Sequence, residues 1–467
     1  MTDKELYKSL SYERKNVYEN ITEDEKQEMN ALADEYRAFL DAGKTERECV
    51  EVALKMATEH GYKNLDETSE LKAGDKVYKI NRSKNILLAV IGTDDITNGI
   101  NIVGAHIDSP RLDLKQNPLY EQTGMALFKT HYYGGIKKYQ WPAIPLAIHG
   151  VVYTRDGEKV TLNIGEKDTD PVFCITDLLP HLAQNQMSKK MTEGIEGESL
   201  NVLIGGMPCG GDEVKEKVKF AVLKIINDRY NITERDLLSA EIEIVPAFKA
   251  RNVGLDESFI GAYGQDDRVC AFTTIKGIFA VDNPKKTAVA LLVDKEEIGS
   301  MGNTGMLSAF YEMTVAEIAE KLTGSCTMTA FNKIMSNSAC LSSDVGAAVD
   351  PNYESVSEKR NAAFAGCGMV LMKYTGARGK SGSSDASAEF VYRIGKILDD
   401  DGVIWQTSEL GKVDQGGGGT IAQYVANLNI DVIDCGVPVL SMHSPFEVTA
   451  KSDVYMAYRS YVAFYKS

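Results

Sequence analysis

The sequence predicts a mostly parallel α/β domain whose chain is interrupted by an inserted, β-rich domain. Strand and helix patterns alternate in two separate stretches, residues 1–109 and 248–467, which is typical of a parallel sheet covered by helices. Residues 110–247 break the alternation with loops rich in proline, glycine and tyrosine. At 467 residues the chain also exceeds a usual single hydrophobic core, so two domains are expected.

Two capping boxes predict the first helices. Thr22 and Glu25 have the spacing in which each side chain bonds the other's backbone N–H, and an apolar helical pattern follows them. Thr45 and Glu48 repeat the spacing and open a second helix, which we expect to end at Gly61 because glycine commonly terminates helices.

Short apolar runs between polar turns predict the strands. The runs at 85–91 and 100–105 are almost continuously apolar, which is typical of strands covered on both faces. Further strands are predicted at 76–80, 146–153, 287–293 and 369–373, and further helices at 213–227, 268–280 and 387–398.

Composition and charge exclude several classes of protein. A net charge of −16 argues against nucleic acid as a partner, because phosphate binding needs clustered positive charge. No apolar run approaches the roughly 20 residues of a membrane span, and the charged N-terminus lacks the apolar core of a signal peptide. The eight cysteines are scattered and form no Cys-x-x-Cys pair, so we expect reduced thiols in a cytoplasmic protein.

Two of the six histidines end apolar runs that close with a proline. His106 is followed by Ile-Asp-Ser-Pro, and His443 by Ser-Pro. Either residue alone would more often be structural. Asp108 strengthens the case for His106, since an imidazole that binds a metal usually donates its other N–H to a carboxylate.

Carboxylates cluster between these histidines. Asp266-Asp267 precedes a predicted helix, Glu296-Glu297 follows a predicted strand, and Asp344 interrupts an apolar stretch. Singly, each has an ordinary explanation as a helix cap or a solvated loop. In open α/β sheets ligands bind beyond the carboxyl ends of the strands, so we expect four chain segments to meet at one edge of one sheet. Two imidazoles with several carboxylates are typical of a two-metal hydrolytic site.

A nucleotide-binding loop is the alternative from another functional class. Gly379-Lys380-Ser381 resembles the end of the Walker pattern, but that pattern requires glycine at position 374, where this chain has Tyr374. The glycines at 416–419 are too general to indicate a nucleotide. ATP binding that survives metal chelation would support this alternative.

Taken in chain order, the clusters resemble those of the aspartyl aminopeptidase-type dinuclear metallo-aminopeptidases, bacterial branch. The resemblance covers nearly the full length. It is carried by Gly104-Ala-His-Ile-Asp-Ser-Pro110, Ala262-Tyr-Gly-Gln-Asp-Asp-Arg268, Asp294-Lys-Glu-Glu-Ile-Gly299, Ser342-Ser-Asp-Val345 and Met442-His-Ser-Pro445.

The resemblance implies a ligand set for two divalent metal ions, with Zn²⁺ as the first choice and Mn²⁺ or Co²⁺ as alternatives. One metal is assigned to His106 and Asp344, the other to Glu297 and His443, and Asp266 bridges the two.

The resemblance also implies roles around the metals. Glu296 becomes the general base, Asp108 orients His106, and Asp267 lies outside the ligand set. Segment 144–149 is similar to a family segment whose histidine reaches the partner's active site, so His149 is a candidate there, with a buried structural role as the alternative.

The implied activity is removal of the N-terminal residue from peptides. The family name implies acidic residues, which need a cation, and Arg378 and Lys380 lie in the corresponding loop. Segment 374–384 departs from the eukaryotic pattern, so a broader specificity stays open. A two-metal deacylase of N-acyl amino acids and a catalytically idle assembly protein are further alternatives.

The resemblance assigns the insertion, 110–247, to dimerisation. Such dimers build homo-oligomers of twelve subunits with tetrahedral symmetry, whose interior admits peptides and excludes folded proteins.

Overall fold

The computed structural model describes residues 1–467 and contains three β-sheets. The strands are β1 (Lys63–Asn64), β2 (Lys76–Asn81), β3 (Asn85–Val90), β4 (Ile100–His106), β5 (Arg111–Gln122), β6 (Met125–Tyr133), β7 (Leu146–Tyr153), β8 (Lys159–Ile164), β9 (Val202–Gly205), β10 (Glu241–Pro246), β11 (Arg251–Val253), β12 (Phe259–Ala262), β13 (Thr287–Val293), β14 (Ala339–Ser343), β15 (Gly346–Ala347), β16 (Met369–Met372), β17 (Trp405–Thr407), β18 (Asp431–Gly436), β19 (Pro438–Leu440) and β20 (Glu447–Ala450). The α-helices are α1 (Asp3–Leu10), α2 (Glu23–Ala42), α3 (Glu46–Glu59), α4 (Gln184–Met187), α5 (Met191–Gly194), α6 (Lys217–Tyr230), α7 (Gln265–Phe279), α8 (Phe310–Thr323), α9 (Met328–Ser336), α10 (Ala388–Asp400), α11 (Ala422–Ala426) and α12 (Lys451–Lys466).

The largest sheet has nine strands in the order β1-β2-β3-β13-β4-β14-β18-β16-β17. Five of its eight pairings are parallel, and these include the central run β13-β4-β14-β18. The pairings β2·β3, β3·β13 and β16·β18 are antiparallel. The predicted mixed α/β class with a mostly parallel sheet is confirmed.

Helices cover both faces of this sheet, which explains why its central strands are continuously apolar. Within β13, Ala288 and Ala290 pack into the core beneath α2, α3, α7 and α12, while Val289 and Leu291 pack toward α8, α9 and α11. Successive strand residues point to opposite faces, so a strand buried on both sides needs apolar residues throughout.

The two predicted capping boxes are present. Thr22 accepts from the N–H of Glu25 and caps α2, and Thr45 does the same for α3. Helix α3 ends at its predicted glycine, since Gly61 follows the C-cap residue and has a φ of +81°. That left-handed conformation costs glycine little.

Residues 111–246 supply all six strands of a second sheet, in the order β8-β7-β10-β5-β6-β9. Every pairing in it is antiparallel. The sheet and α6 enclose a core of their own, which includes Phe128, Trp141, Ile148 and Val218. The segment between the two α/β stretches therefore builds its own hydrophobic centre.

The third sheet has five strands in the order β11-β12-β20-β19-β15, all from the second half of the chain. It lies beside the carboxyl ends of the central strands, because β14 continues into β15 and β18 into β19. None of the helices combines the length and the apolar character that crossing a bilayer requires.

Candidate metal centre

Three of the predicted side-chain clusters lie at the carboxyl ends of neighbouring strands in the large sheet. His106 is the last residue of β4, Glu296 and Glu297 form a short turn after β13, and Asp344 directly follows β14. Because β13, β4 and β14 are adjacent and parallel, their ends meet at one edge.

The other two clusters come from the five-stranded sheet. Asp266 lies in the first turn of α7, which begins shortly after β12, and His443 follows β19. The expectation that the segments of His106, Asp266, Glu296-Glu297 and His443 meet at one edge of one sheet was therefore wrong. A single residue, Val437, separates β18 from β19, and across it the chain passes from the large sheet into the five-stranded one. The centre lies between the two sheets.

Asp266 faces a different histidine with each of its oxygens. Its Oδ1 lies 3.2 Å from Nε2 of His106, and its Oδ2 lies 3.1 Å from Nε2 of His443. The carboxylate is buried, and the peptide bond between Asp266 and Asp267 is cis. One carboxylate thus lies between two histidines that are far apart in the sequence.

The remaining carboxylates flank this bridge. Asp344 Oδ1 and Glu296 Oε2 lie 3.8 Å and 3.9 Å from Nε2 of His106. Ligand atoms of these three residues all fall within 4.8 Å of one another. On the other side, Glu297 Oε1 lies 3.5 Å from Nε2 of His443.

The protonation of both imidazoles follows from their other nitrogens. Nδ1 of His106 lies 3.0 Å from the carbonyl oxygen of Asp108 and 3.2 Å from its Oδ1. Nδ1 of His443 lies 2.8 Å from the carbonyl oxygen of Gly135. These oxygens can only accept, so each Nδ1 carries a proton, and Nε2, which faces Asp266, is the nitrogen that each ring can offer to a cation.

The donor set fits divalent cations. Nε2 of each imidazole faces carboxylate oxygens, and a divalent cation between them would be bound by the nitrogen lone pair and by those oxygens. Oδ1 of Asp266, Oδ1 of Asp267 and Oε1 of Glu297 are buried without a hydrogen-bond donor. Leaving such oxygens unpaired is costly, and imidazole with carboxylate is the ligand chemistry of zinc, manganese and cobalt.

Burial and neighbouring negative charges raise the pKa values of several acids in this cluster. Burial raises the pKa of Glu296 to about 8; His106 opposes this shift, and the negative charges of Asp344, Asp108 and Asp266 add to it. Burial also raises the pKa of Asp267 and of Glu297 well above the usual range, reinforced by other carboxylates. The centre therefore concentrates more negative charge than the protein alone can neutralise.

Asp108 contacts both the histidine and the glutamate turn. Its oxygens accept the backbone N–H groups of Glu296 at 3.1 Å and Glu297 at 3.2 Å, in addition to facing His106. Burial opposes its ionisation, but the hydrogen bonds from His106 and Tyr133 and the charges of His106 and Arg111 together outweigh burial and lower the pKa of Asp108. A fully ionised acceptor thus joins the ends of β4 and β13.

Three residues around the centre were missed by sequence reasoning. Glu447 accepts two backbone N–H groups beneath the bridge, Tyr133 donates to Asp108, and Gly135 supplies a carbonyl to His443. A lone glutamate within the apolar strand pattern after His443 was a usable signal for Glu447, because a buried carboxylate needs partners.

A cavity of about 620 Å³ opens above the cluster. Its walls include Arg378, Lys380 and the glycines at 416–419. Lys380 pairs with Asp385 at 3.1 Å. Helix α10 begins only at Ala388, so this loop does not lead directly into a helix as a phosphate-binding loop does.

His149 lies away from this cavity within its own chain. It is 1% exposed in β7, and its two ring nitrogens face Oε1 of Glu48 at 2.7 Å and Oε1 of Glu166 at 3.0 Å. Both nitrogens are occupied, which fits the alternative of a buried structural histidine. A role in a partner's site stays a prediction.

Comparisons with known proteins agree with a metal-dependent peptidase. Residues 39–465 match the M18 peptidase family model, described as aminopeptidase I zinc metalloprotease. The chain is 51% identical over 459 residues to a probable M18 family aminopeptidase 1 of Clostridium acetobutylicum, covering 97% of this chain and 98% of that protein.

Solved structures show the same fold. An M18 family aminopeptidase from Thermotoga maritima superposes with a TM-score of 0.94 at 47% identity, covering 98% of this chain and 100% of that one. Aminopeptidase I from Clostridium acetobutylicum gives a TM-score of 0.92 at 47% identity, covering 98% and 100%. The mApe1 dodecamer of S. cerevisiae, at 20% identity and a TM-score of 0.75 over 93% and 96%, shares the fold.

Proposed function

Because this chain belongs to the M18 family of zinc metallopeptidases and is an aminopeptidase of that family, we propose that it releases N-terminal residues from peptides at a centre of two divalent ions. The position of Asp266 supports two ions rather than one, because it lies between His106 and His443 with one oxygen toward each. A carboxylate that faces two imidazoles through separate oxygens can serve two ions at once.

The proposed ligands divide into two sets that share Asp266. His106 and Asp344 hold one ion, and His443 and Glu297 hold the other; the distances from each imidazole to its carboxylate support this division. Asp267, whose pKa is raised by burial, lies outside both sets.

Divalent ions bound there supply Lewis-acid polarisation of a peptide carbonyl and lower the pKa of water. Oε2 of Glu296 takes the proton from the attacking water and returns it to the leaving amine. Glu296 suits this task because it is held at the cluster through its backbone bond to Asp108, while its side chain faces the cavity. Ions nearby would also lower its pKa from the raised value and keep it ionised.

The acidic cluster also favours substrates with a free N-terminus. Glu296 lines the cavity outside the proposed ligand sets, and its negative charge attracts the α-ammonium group of a peptide. An N-acylated amino acid lacks that charge, so we expect peptides with a free N-terminus to be substrates and N-acylated amino acids not to be. We further propose that Arg378, which has no ion-pair partner in the cavity wall, receives acidic N-terminal side chains alongside neutral ones.

We propose that the segment 110–247 mediates dimerisation and that dimers assemble into a tetrahedral dodecamer. Exposed apolar side chains support this proposal, because monomeric proteins seldom present many of them in one region. They include Val172, Leu182, Met187, Met191 and Met207. The S. cerevisiae dodecamer has the same fold. A mass near that of one chain in light scattering at micromolar concentration would contradict the assembly.

Aminoacyl-anilides and their N-acetylated counterparts test the activity. We expect release from the free-amine substrates only, loss of release after chelation, and recovery with Zn²⁺, Mn²⁺ or Co²⁺. Metal analysis of the active protein should find two ions per chain. Activity that is indifferent to chelation would contradict the proposal, and preferential cleavage of the acetylated substrates would favour a deacylase. ATP binding that persists after chelation would favour the nucleotide-binding alternative.

A further inference from the structure

We infer that the segment 133–135, where the chain leaves β6 of the six-stranded sheet, positions both histidines of the metal centre. The inference rests on the proposed two-metal function and concerns residues that touch the ligands rather than the ligands themselves. Three separate contacts carry it: a phenol, a carbonyl and the two glycines that bring the backbone close.

The phenol acts on His106 through Asp108. Tyr133 OH donates to Oδ2 of Asp108 at 2.8 Å, and Oδ1 of the same carboxylate lies 3.2 Å from Nδ1 of His106. The Arg111 guanidinium packs over the Tyr133 ring, 3.9 Å from the ring centre, and helps to hold the ring in place. Such hydrogen bonds behind a metal ligand orient the imidazole and raise its basicity.

The carbonyl acts on His443 directly. Oxygen of Gly135 lies 2.8 Å from Nδ1 of His443. A carbonyl cannot donate, so this contact holds the proton on Nδ1 and leaves Nε2 free for a cation. No side chain supplies this acceptor, and it depends on the path of the backbone alone.

The two glycines allow this close path. A Cβ at position 135 would lie 3.2 Å from Nδ1 of His443. Gly134 has a φ of +72°, and a Cβ there would lie 3.2 Å from Oε2 of Glu297. Contacts this short force the neighbour to move, and the neighbours here are proposed metal ligands.

The arrangement links the metal centre to the insertion. His106 and His443 come from different sheets, yet one tripeptide at the end of β6, in the six-stranded sheet, acts on the second nitrogen of each, through Asp108 for His106 and directly for His443. Metal affinity therefore depends on how residues 111–246 sit against the α/β part. Each ion should respond to its own contact, the first to Tyr133 and the second to Gly135.

Metal binding by purified variants tests the inference. Tyr133→Phe removes only the hydroxyl, and Gly135→Ala adds a methyl beside His443. Tyr132→Phe, an exposed neighbour, and Gly206→Ala, where a Cβ meets nothing within 4 Å, are the matched controls. Zinc stoichiometry and affinity are measured by chelator competition, and ligand geometry by the visible absorption of the Co²⁺-loaded protein.

We expect Tyr133→Phe to weaken one of the two zinc equivalents by about 10- to 100-fold, the range for loss of a partner behind a ligand, and Gly135→Ala to weaken the other. Both should alter the Co²⁺ absorption, whereas both controls keep wild-type values. The double variant should weaken both equivalents.

Wild-type affinity and an unchanged Co²⁺ spectrum in Tyr133→Phe and Gly135→Ala would overturn the inference while leaving the two-metal proposal intact. A wild-type protein that binds fewer than two ions would instead overturn the proposed function. If Gly135→Ala does not fold, Tyr133→Phe decides alone, because removal of a hydroxyl preserves the ring packing.

Discussion

Glu447 holds the backbone of Asp266: its Oε2 accepts the N–H of that residue at 3.0 Å, from strand β20 to the first turn of α7. Its other oxygen accepts the N–H of His443 at 2.6 Å. Glu447 is 1% exposed, so both bonds are shielded from water. One carboxylate therefore sets the spacing between the bridging aspartate and a histidine that faces it.

Replacing Glu447 with glutamine should disturb the centre without changing the size of the side chain. The amide keeps one acceptor oxygen but presents its NH₂ group to the second backbone N–H, so two donors face each other. A buried group left unpaired costs about 1–3 kcal/mol, and we expect the free energy of unfolding to fall by that amount. Zinc content after dialysis should fall as well.

Glu51→Gln, on the exposed face of α3, is the control for removing one negative charge. Denaturant unfolding and metal analysis of the two variants give the comparison. Equal stability and equal zinc content in both would show that Glu447 does not hold the centre together.

Glu296→Gln should separate proton transfer from metal binding. Glutamine preserves the shape of the side chain but cannot accept the proton, and loss of a general base costs about 10²–10⁴-fold in kcat. Zinc stoichiometry should stay at the wild-type value, because Glu296 is outside the proposed ligand sets. Glu297→Gln is the matched comparison, and it should lose zinc.

The opposite pattern would reassign the two glutamates. Ligand atoms of Glu296, His106 and Asp344 lie within 4.8 Å of one another, so a role for Glu296 as a ligand is a concrete competitor. Loss of zinc from Glu296→Gln, with zinc retained in Glu297→Gln, would exchange their roles.

Local signals in the sequence predicted only some of the 20 strands and 12 α-helices. The capping boxes marked the starts of α2 and α3, and the apolar runs 146–153 and 287–293 coincide with β7 and β13. These features depend on neighbours a few residues apart. The residues predicted for the metal site, His106, Asp266, Glu296, Glu297, Asp344 and His443, are close together in the structure.

The sequence pattern could not predict which sheet a strand joins or which distant residues meet. An apolar run shows that a strand is buried but not which sheet it joins, so the run before His443 was expected in the same sheet as the others, although its strand β19 pairs with β20 and β15. The carbonyl of Gly135 has no signature at all, since every residue carries one. Tyr133 was one of 22 tyrosines, and only its distance to Asp108 distinguishes it.

The buried charge cluster around His149 predicts a pH dependence of stability. Burial opposes protonation, but hydrogen bonds with Glu166 and Glu48 outweigh it and raise the pKa of His149 above its ordinary value of 6.5. A raised pKa in the folded state stabilises the protein below the unfolded pKa, and this contribution is lost as pH rises through the folded pKa. The carboxylate of Glu166 stays ionised throughout, because its pKa is lowered to about 2.

His149→Gln should therefore destabilise the protein more at about pH 6 than at about pH 9, by about 1–3 kcal/mol for the lost charged hydrogen bonds. Thermal unfolding at both pH values measures the difference. His131→Gln, an exposed histidine without a carboxylate partner, should show no such change. Equal destabilisation at both pH values would contradict the charged cluster. Full peptidase activity of an intact His149→Gln assembly would remove this residue from a partner's site.

Arg378 should set the tolerance for acidic N-terminal residues. It lines the cavity above the metal centre and is exposed, so solvent screens its charge and limits its effect. We expect Arg378→Gln to raise KM for an aspartyl-anilide by about three- to tenfold, while KM for an alanyl-anilide stays unchanged. Lys380→Gln is the matched control, and its effect should be smaller because Asp385 already offsets that charge at 3.1 Å. An equal rise in KM for both substrates would show that Arg378 shapes the cavity rather than recognising the negative charge of the N-terminal side chain. No change for either would leave acidic residues without a dedicated cation in this loop.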